Sequence, residues 1–360
     1  MITNKLIKPL LNLNLSRPET YNSKPRNPNL IWLDKNECLD PSYNAFTYSI
    51  FKKLTLDSIR TYPEPAELYH KIANWDKLEV SNFLLTPGSD GAIRIVFQAF
   101  INEGDKVVFT EPTFAMYSVY AKMFGAVSRP LKYKRSDTGP TLSINDIISH
   151  LNLEKPKLFC LPNPDSPTGT IFDKANITTL LDFCLKNEII VLLDEAYYPF
   201  CNQTCSDLVN KYENLLIART FAKAWASAGA RLGYLISNDK LMFYLHKLRP
   251  MYEANTIGID FMNLLFDHKD KMYESVNRLI AGKIHFTNEL EKLGYSVLKN
   301  THGNFIHVNF GNDADSIHAK LASLVLYRKD FNEECLKGYS RFSLTNVDIF
   351  NRIINKIKEK

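Results

Sequence analysis

KLFCLPNPDSPTGTIFDKANITTLLDFCLKNEIIVLLDEAYYPF, residues 157–200, holds two apolar runs separated by a helical pattern. From Leu158 to Leu161 and from Ile189 to Leu193 every position is apolar, where a half-exposed strand would alternate. Each run therefore predicts a strand buried on both faces, the pattern of a parallel sheet covered by helices. Between them Asn176 to Lys186 predicts a helix. The alternation continues outward on both sides: Ala92–Phe100 and Phe114–Met123 as helices, Lys106–Phe109, Leu215–Ile217 and Leu232–Ile236 as strands. The fold class is α/β, with a large domain built on a mostly parallel central sheet flanked by helices.

Outside this region the pattern changes. Four prolines among residues 1–28 predict an extended arm, followed by a short strand at Leu30–Leu33. After Pro250 come long helical stretches to about Leu293, then strands at Tyr295–Leu298, Phe305–Val308, Leu324–Tyr327 and Ser340–Leu344. Val347, Phe350, Ile353, Ile354 and Ile357 recur at helical spacing and predict a last helix with one buried face. The expected organisation is an arm, residues 1–40, packing with a smaller α+β domain, residues 251–360, and a large domain, residues 41–250. A helix is expected to bridge the two domains near residue 250.

Composition narrows the function classes. Hydrophobic residues at 45% and charged residues at 23% of 360 match globular proteins and exclude a disordered chain. No apolar run approaches the ~18 residues of a membrane span. Lys plus Arg is 44 against 39 acidic residues, and the basic patches 132–135 and 356–360 are isolated, so neither nucleic acid nor membrane is an expected partner. The six cysteines have no paired CxxC spacing; they predict no metal site and fit reduced thiols in a cytoplasm. The N-terminus lacks the pattern of an export signal.

GxGxxG, GxxxxGK[ST], HExxH and GxSxG are all missing, which removes the usual support for dinucleotide, P-loop, zincin and α/β-hydrolase chemistry. Five short motifs remain. Gly88-Ser89-Asp90-Gly91 turns into a helix, whose free N–H groups and positive end suit an anion. Phe114 in Glu111-Pro-Thr-Phe supplies an aromatic after a strand, and Asp165-Ser166-Pro-Thr-Gly169 follows another. Asp194 ends an apolar strand, where open α/β sheets bind ligands, with Tyr197 three residues later. In Ala218-Arg-Thr220-Phe-Ala-Lys223, the lysine lies just beyond a buried strand, where partial desolvation keeps an amine nucleophilic; Arg231 follows eight residues on.

In this order the motifs resemble those of the fold-type I pyridoxal-phosphate enzymes, and within them the class I and II aminotransferases of the histidinol-phosphate aminotransferase type. The resemblance covers nearly the whole chain. It implies pyridoxal 5'-phosphate as cofactor, with Lys223 as the Schiff-base lysine and proton carrier, Asp194 opposite the pyridinium nitrogen, and Tyr197 on the cofactor O3′. Phe114 would stack on the ring. Gly88, Ser89, Asp90, Thr220 and Arg231 would cup the phosphate, Tyr62 would reach it from a second subunit, and Asp165 and Ser166 would lie near O3′. The implied assembly is a homodimer with shared active sites.

For the substrate, the resemblance implies Tyr21, Asn36, Arg328 and Arg341, the two arginines clamping carboxylate or phosphate. The implied reaction moves an amino group between glutamate and 2-oxoglutarate on one side and a small phosphorylated keto compound on the other. Imidazole-acetol phosphate and dihydroxyacetone phosphate are the candidates. Decarboxylation of a phosphorylated amino acid, of the threonine-phosphate or serine-phosphate type, is the alternative. The chain departs from the family pattern in having Ala222 where relatives carry Ser, Ser166 where they carry Asn, and Asn36-Glu-Cys-Leu-Asp-Pro41 near the substrate.

Overall fold

In the computed structural model, residues 20–359 are described. Thirteen strands are present among them: β1 (Ile31–Trp32), β2 (Phe83–Thr86), β3 (Lys106–Glu111), β4 (Val127–Ser128), β5 (Leu131–Lys132), β6 (Leu158–Pro162), β7 (Ile190–Asp194), β8 (Leu215–Thr220), β9 (Gly233–Ser237), β10 (Ser296–Val297), β11 (Phe305–Asn309), β12 (Val325–Leu326) and β13 (Ser340–Ser343). Eight form one sheet in the order β2-β9-β8-β7-β6-β3-β4, with β5 also pairing β3. β3, β6, β7 and β8 are parallel neighbours, whereas β9 runs antiparallel to both β2 and β8.

The all-apolar strands divide by residue parity between two cores. Phe159, Leu161, Val191, Leu193, Leu215 and Ile217 enter one; Leu158, Cys160, Leu192, Leu216 and Ala218 enter the other. The second core is closed by the helices Gly88–Phe100, Met116–Met123 and Asp239–Leu245. The first is closed by Ala66–Asp76, Ile144–Glu154, Lys174–Lys186 and Thr256–Phe266. Because β3, β6, β7 and β8 are parallel, Glu111, Pro162, Asp194 and Thr220 all end on one edge, where the following loops converge.

The strand β2 and the helices Pro41–Phe51, Asp57–Arg60 and Ala66–Asp76 were not marked by the sequence pattern. The element expected near residue 250 also differs. Residues 249–255 are irregular, and the helix Thr256–Phe266 begins only where the Asn255 side chain accepts from the Gly258 N–H. It packs against the helices of residues 41–76, and the 24-residue helix Lys269–Lys292 then leads to the antiparallel sheet β10-β11-β13. The last helix, Val347–Lys358, buries Phe350, Ile353, Ile354 and Ile357 as its spacing predicts, and Phe350 stacks on Phe286 at 4.2 Å.

Of the expected arm, residues 1–19 lie outside the described residues. β1 pairs in parallel with β12, so this part of the arm adds a strand to the C-terminal third of the chain. Among the described residues no helix is long and apolar enough to cross a membrane, and all six cysteines are free thiols.

Candidate active site

The convergent loops leave a cleft lined by Ser89, Asp90, Phe114, Ser166, Asp194, Tyr197, Thr220, Ala222, Lys223 and Arg231, together with prolines 162 and 164 and Ala196. Residues as far as 142 positions apart in sequence therefore meet at one strand edge.

At the floor, Asp194 is buried at the end of β7. Its carboxylate accepts from the Tyr117 hydroxyl at 2.9 Å and from the Ala196 N–H at 3.0 Å. Burial pushes its pKa up to about 6, against the pull of these two hydrogen bonds, so a cation placed opposite would be favoured. Lys223 lies above the end of β8, its Nζ donating to the Lys35 carbonyl at 3.2 Å and lying 5.5 Å from the centre of the Tyr197 ring. Burial alone would raise the Tyr197 phenol. The Lys223 charge and hydrogen bonds with Asn36 and Ser166 outweigh it and hold the phenol below its ordinary range.

Asn36 is held in the left-handed region, φ 55°. Its Nδ2 donates to the Tyr197 hydroxyl at 3.0 Å, while its backbone N–H donates to the Ser343 hydroxyl and its carbonyl accepts from Asn304. The loop after β1 is thereby tied to both sheets.

One end of the cleft brings the start of a helix next to a guanidinium. Ser89 and Asp90 open the 13-residue helix Gly88–Phe100, and Asp90 accepts from the Tyr120 hydroxyl at 3.0 Å. Gly88 has φ +74°, and a Cβ there would lie 3.1 Å from Arg231 Nη2. Gly233, which opens β9, permits the approach: a Cβ on it would lie 2.4 Å from the Arg219 carbonyl and 2.7 Å from the Gly88 carbonyl carbon. Beneath this end, Arg219 donates to Glu195 at 3.0 Å and to both oxygens of Asp76 at 2.8 and 2.9 Å, the three side chains being at most 6% exposed. Arg219 precedes Thr220 and Glu195 follows Asp194, so this fully hydrogen-bonded ion cluster pins the ends of β7 and β8 to each other.

Not every predicted residue lines the cleft. Asp165 is turned inward, where it accepts from the Thr110 hydroxyl at 2.9 Å and the Thr113 hydroxyl at 2.7 Å. Burial pushes its pKa up to about 7, and it is not among the residues lining the cleft. Tyr62 is 71% exposed and stacks on Tyr252 at 4.3 Å, and Tyr21 is 81% exposed; both lie outside the lining of this chain's cleft. Arg328 and Arg341 lie beyond Tyr197. Their backbones are bridged to each other, and Arg341 lies 5.4 Å from the Phe305 ring, whose edge contact with Tyr197 is 5.7 Å.

Tyr117, Asn304 and the Arg219 cluster were missed. The usable signal was a charged residue inside an apolar strand: Arg219 in LLIART has to find a buried partner. Tyr117 carries a weaker one, falling three residues after Phe114.

The model of the family described as aminotransferase class I and II matches residues 28–352. The chain belongs to this family. The aminotransferase is 30% identical over 330 residues to the histidinol-phosphate aminotransferase of Clostridium novyi, which covers 91% of each chain. Its fold matches the crystal structure of histidinol-phosphate aminotransferase from Sinorhizobium meliloti in complex with pyridoxal-5'-phosphate, with TM-score 0.81, 18% identity, and coverage of 99% of this chain and 98% of that one. It also matches L-threonine-O-3-phosphate decarboxylase from Porphyromonas gingivalis, with TM-score 0.75, 19% identity, and coverage of 91% and 98%. At these identities the structural likenesses show the fold alone.

Proposed function

We propose that this aminotransferase uses pyridoxal 5'-phosphate to move an amino group between glutamate and a small phosphorylated keto compound. The observation that carries the reading is the composition of one cleft. A buried carboxylate, Asp194, whose hydrogen bonds come from Tyr117 and Ala196, shares the cleft with a lysine, Lys223, and a helix start with Arg231 stands at one end. These residues fit the cofactor: Asp194 suits a pyridinium N–H, the exposed face of Phe114 a flat ring, and Ser89, Asp90, Thr220 and Arg231 a phosphate. When bound, pyridoxal phosphate supplies an electron sink for the carbanion left when an amino acid loses its α-proton.

The chain's own residues do the rest. Lys223 Nζ would hold the cofactor through its aldehyde, and the same amine would be the base that moves the substrate's α-proton. Tyr197 and Asn36, linked at 3.0 Å, would orient the cofactor's phenolic oxygen with Ser166 beside them. Asp194, made costly to ionise by burial, would accept from a ring N–H and so favour a proton on that nitrogen. Arg341 and Arg328 hold the substrate's outer carboxylate or phosphate, and Tyr21 closes over it.

The second subunit's Tyr62 is proposed to complete the phosphate seat in a homodimer. The exposed apolar residues around it, among them Leu56, Ile59 and Met251, support that reading. The arm and residues 251–360 are proposed to form the smaller domain against a cofactor domain of residues 41–250, and free thiols fit a cytoplasmic setting.

The test is a half-reaction. Protein loaded with pyridoxal phosphate is mixed with glutamate alone. Stoichiometric release of 2-oxoglutarate supports transamination, while carbon dioxide from a phosphorylated amino acid, without amino transfer, would replace it with decarboxylation.

A further inference from the structure

The antiparallel pairing of β11 with β13 places His307 directly opposite Arg341, and Arg341 is bridged in turn to Arg328. Residues directly opposite on neighbouring strands share a face, so His307, Arg341 and Arg328 stand in one row across the small sheet. Phe305, two residues before His307 on β11, is on the same face, and its ring touches Tyr197. The row therefore faces the cleft.

Two members of the row have buried polar atoms without partners. Arg341 donates through Nη2 to the Asp34 carbonyl at 3.1 Å, but its Nε–H has no acceptor. The His307 side chain is fully buried between Phe305 and Phe331, at 5.5 and 5.6 Å, and neither of its nitrogens has a partner. The Pro167 carbonyl is near enough to favour a proton on the ring, without closing a hydrogen bond. Burial first, then the charges of Arg341, Lys283 and Arg328, keep the imidazole uncharged. A neutral imidazole always has one nitrogen free to accept.

We infer that His307 is a positioning residue of the substrate-anion site: its uncharged ring takes the Nε–H of Arg341 when the arginine's outer nitrogens leave the Asp34 carbonyl for an anion. An unpartnered donor and an unpartnered acceptor in adjacent positions are satisfied together, and the planar fork is then fixed at its root as well as at its tip. The histidine adds no charge, so the charge facing a ligand is that of the two arginines, of Glu333, which pairs with Arg328 at 3.4 Å, and of Lys283 nearby. The inference rests on the proposed role of Arg341 as substrate clamp.

The experiment is a double-mutant cycle of His307→Leu with Arg341→Ala. It uses enzyme loaded with pyridoxal phosphate, so that the cofactor's own phosphate seat is filled. Two values are read: the dissociation constant of inorganic phosphate by calorimetry and the KM for glutamate. His307→Leu is expected to raise both by about tenfold with kcat within about twofold, and His307→Gln to restore them. In the Arg341→Ala background the leucine substitution is expected to add nothing. Wild-type values in His307→Leu, or the same loss with and without Arg341, overturn the inference. If Arg341→Ala itself changes neither value, the clamp proposed above is what fails. Should the leucine variant not fold, His307→Asn draws the polar group back from Arg341 and carries the same cycle, with the same outcomes deciding it.

Discussion

The floor of the cleft and the arginine row beyond it solve opposite problems with buried charge. Asp194 has both carboxylate oxygens engaged, by Tyr117 and Ala196, and its strand is pinned to the next by the Arg219 cluster. Arg341 has one weak backbone partner, an unsatisfied Nε–H, and the like charge of Arg328 at its side. In the proposed function the floor receives one ring nitrogen throughout the cycle, and such a group is best fixed in advance. The row is proposed to take two different substrates in turn, which calls for hydrogen-bonding capacity in reserve, and its polar atoms without partners would supply it.

The most severe way to break this contrast is at its centre. Lys223→Ala is expected to abolish the visible absorbance of the loaded protein and to lower transamination at least about a thousandfold, since nucleophile and proton carrier are lost together. Retention of both would dissolve the floor as a site. Arg341→Ala is expected to raise the KM for glutamate by about a hundredfold and leave the spectrum of the loaded protein unchanged, because a charged hydrogen-bond pair is removed from the row alone. A changed spectrum would mean that floor and row are not separate.

Next in size is Tyr117→Phe, which takes one hydrogen bond from Asp194. That bond lowers the Asp194 pKa, so the variant's carboxyl shifts further up, and cofactor affinity, measured by equilibrium dialysis, is expected to fall about tenfold. An unchanged affinity would remove Tyr117 from the support of the floor.

The two buried carboxyls also separate by pH. Both have folded pKa values above their ordinary one, so each stabilises the fold below the unfolded pKa and that contribution is lost as pH rises, up to about 6 for Asp194 and about 7 for Asp165. The cofactor-free protein is expected to lose a few degrees of Tm between pH 4.5 and 7.5. Pyridoxal phosphate is expected to recover the Asp194 share, and Asp165→Asn to remove the other share without weakening the response to cofactor. A cofactor response that vanishes in Asp165→Asn would restore that residue to the site. The smallest change is Ala222→Ser, which adds a hydroxyl to the cleft lining and is expected to tighten the cofactor about threefold in the same dialysis; no change would mean that the position does not face the phosphate.

The same division explains what the sequence reveals. β6, β7 and β8 are legible because strands buried on both faces become continuous apolar runs, and Asp194 and Lys223 are legible because each sits just past one. β2 is only four residues long and runs into the Gly88 turn, so its length hides it. The inward turn of Asp165 is not legible because a loop's sequence does not say which of two neighbouring side chains turns inward; three-dimensional contacts with Thr110 and Thr113, more than 50 positions away, decide it. The arginine row depends on register between β11 and β13, and His307 acquires its neighbour only when position 307 meets position 341.

One measurement bears most directly on the central claim that a single cleft carries cofactor and amino transfer. The protein is incubated with pyridoxal phosphate, freed of excess by gel filtration, and its visible spectrum is followed while glutamate is added. The account predicts a yellow protein whose colour bleaches on adding glutamate, with one 2-oxoglutarate released per cleft. A protein that emerges colourless, or a yellow one that glutamate leaves unchanged, would contradict it.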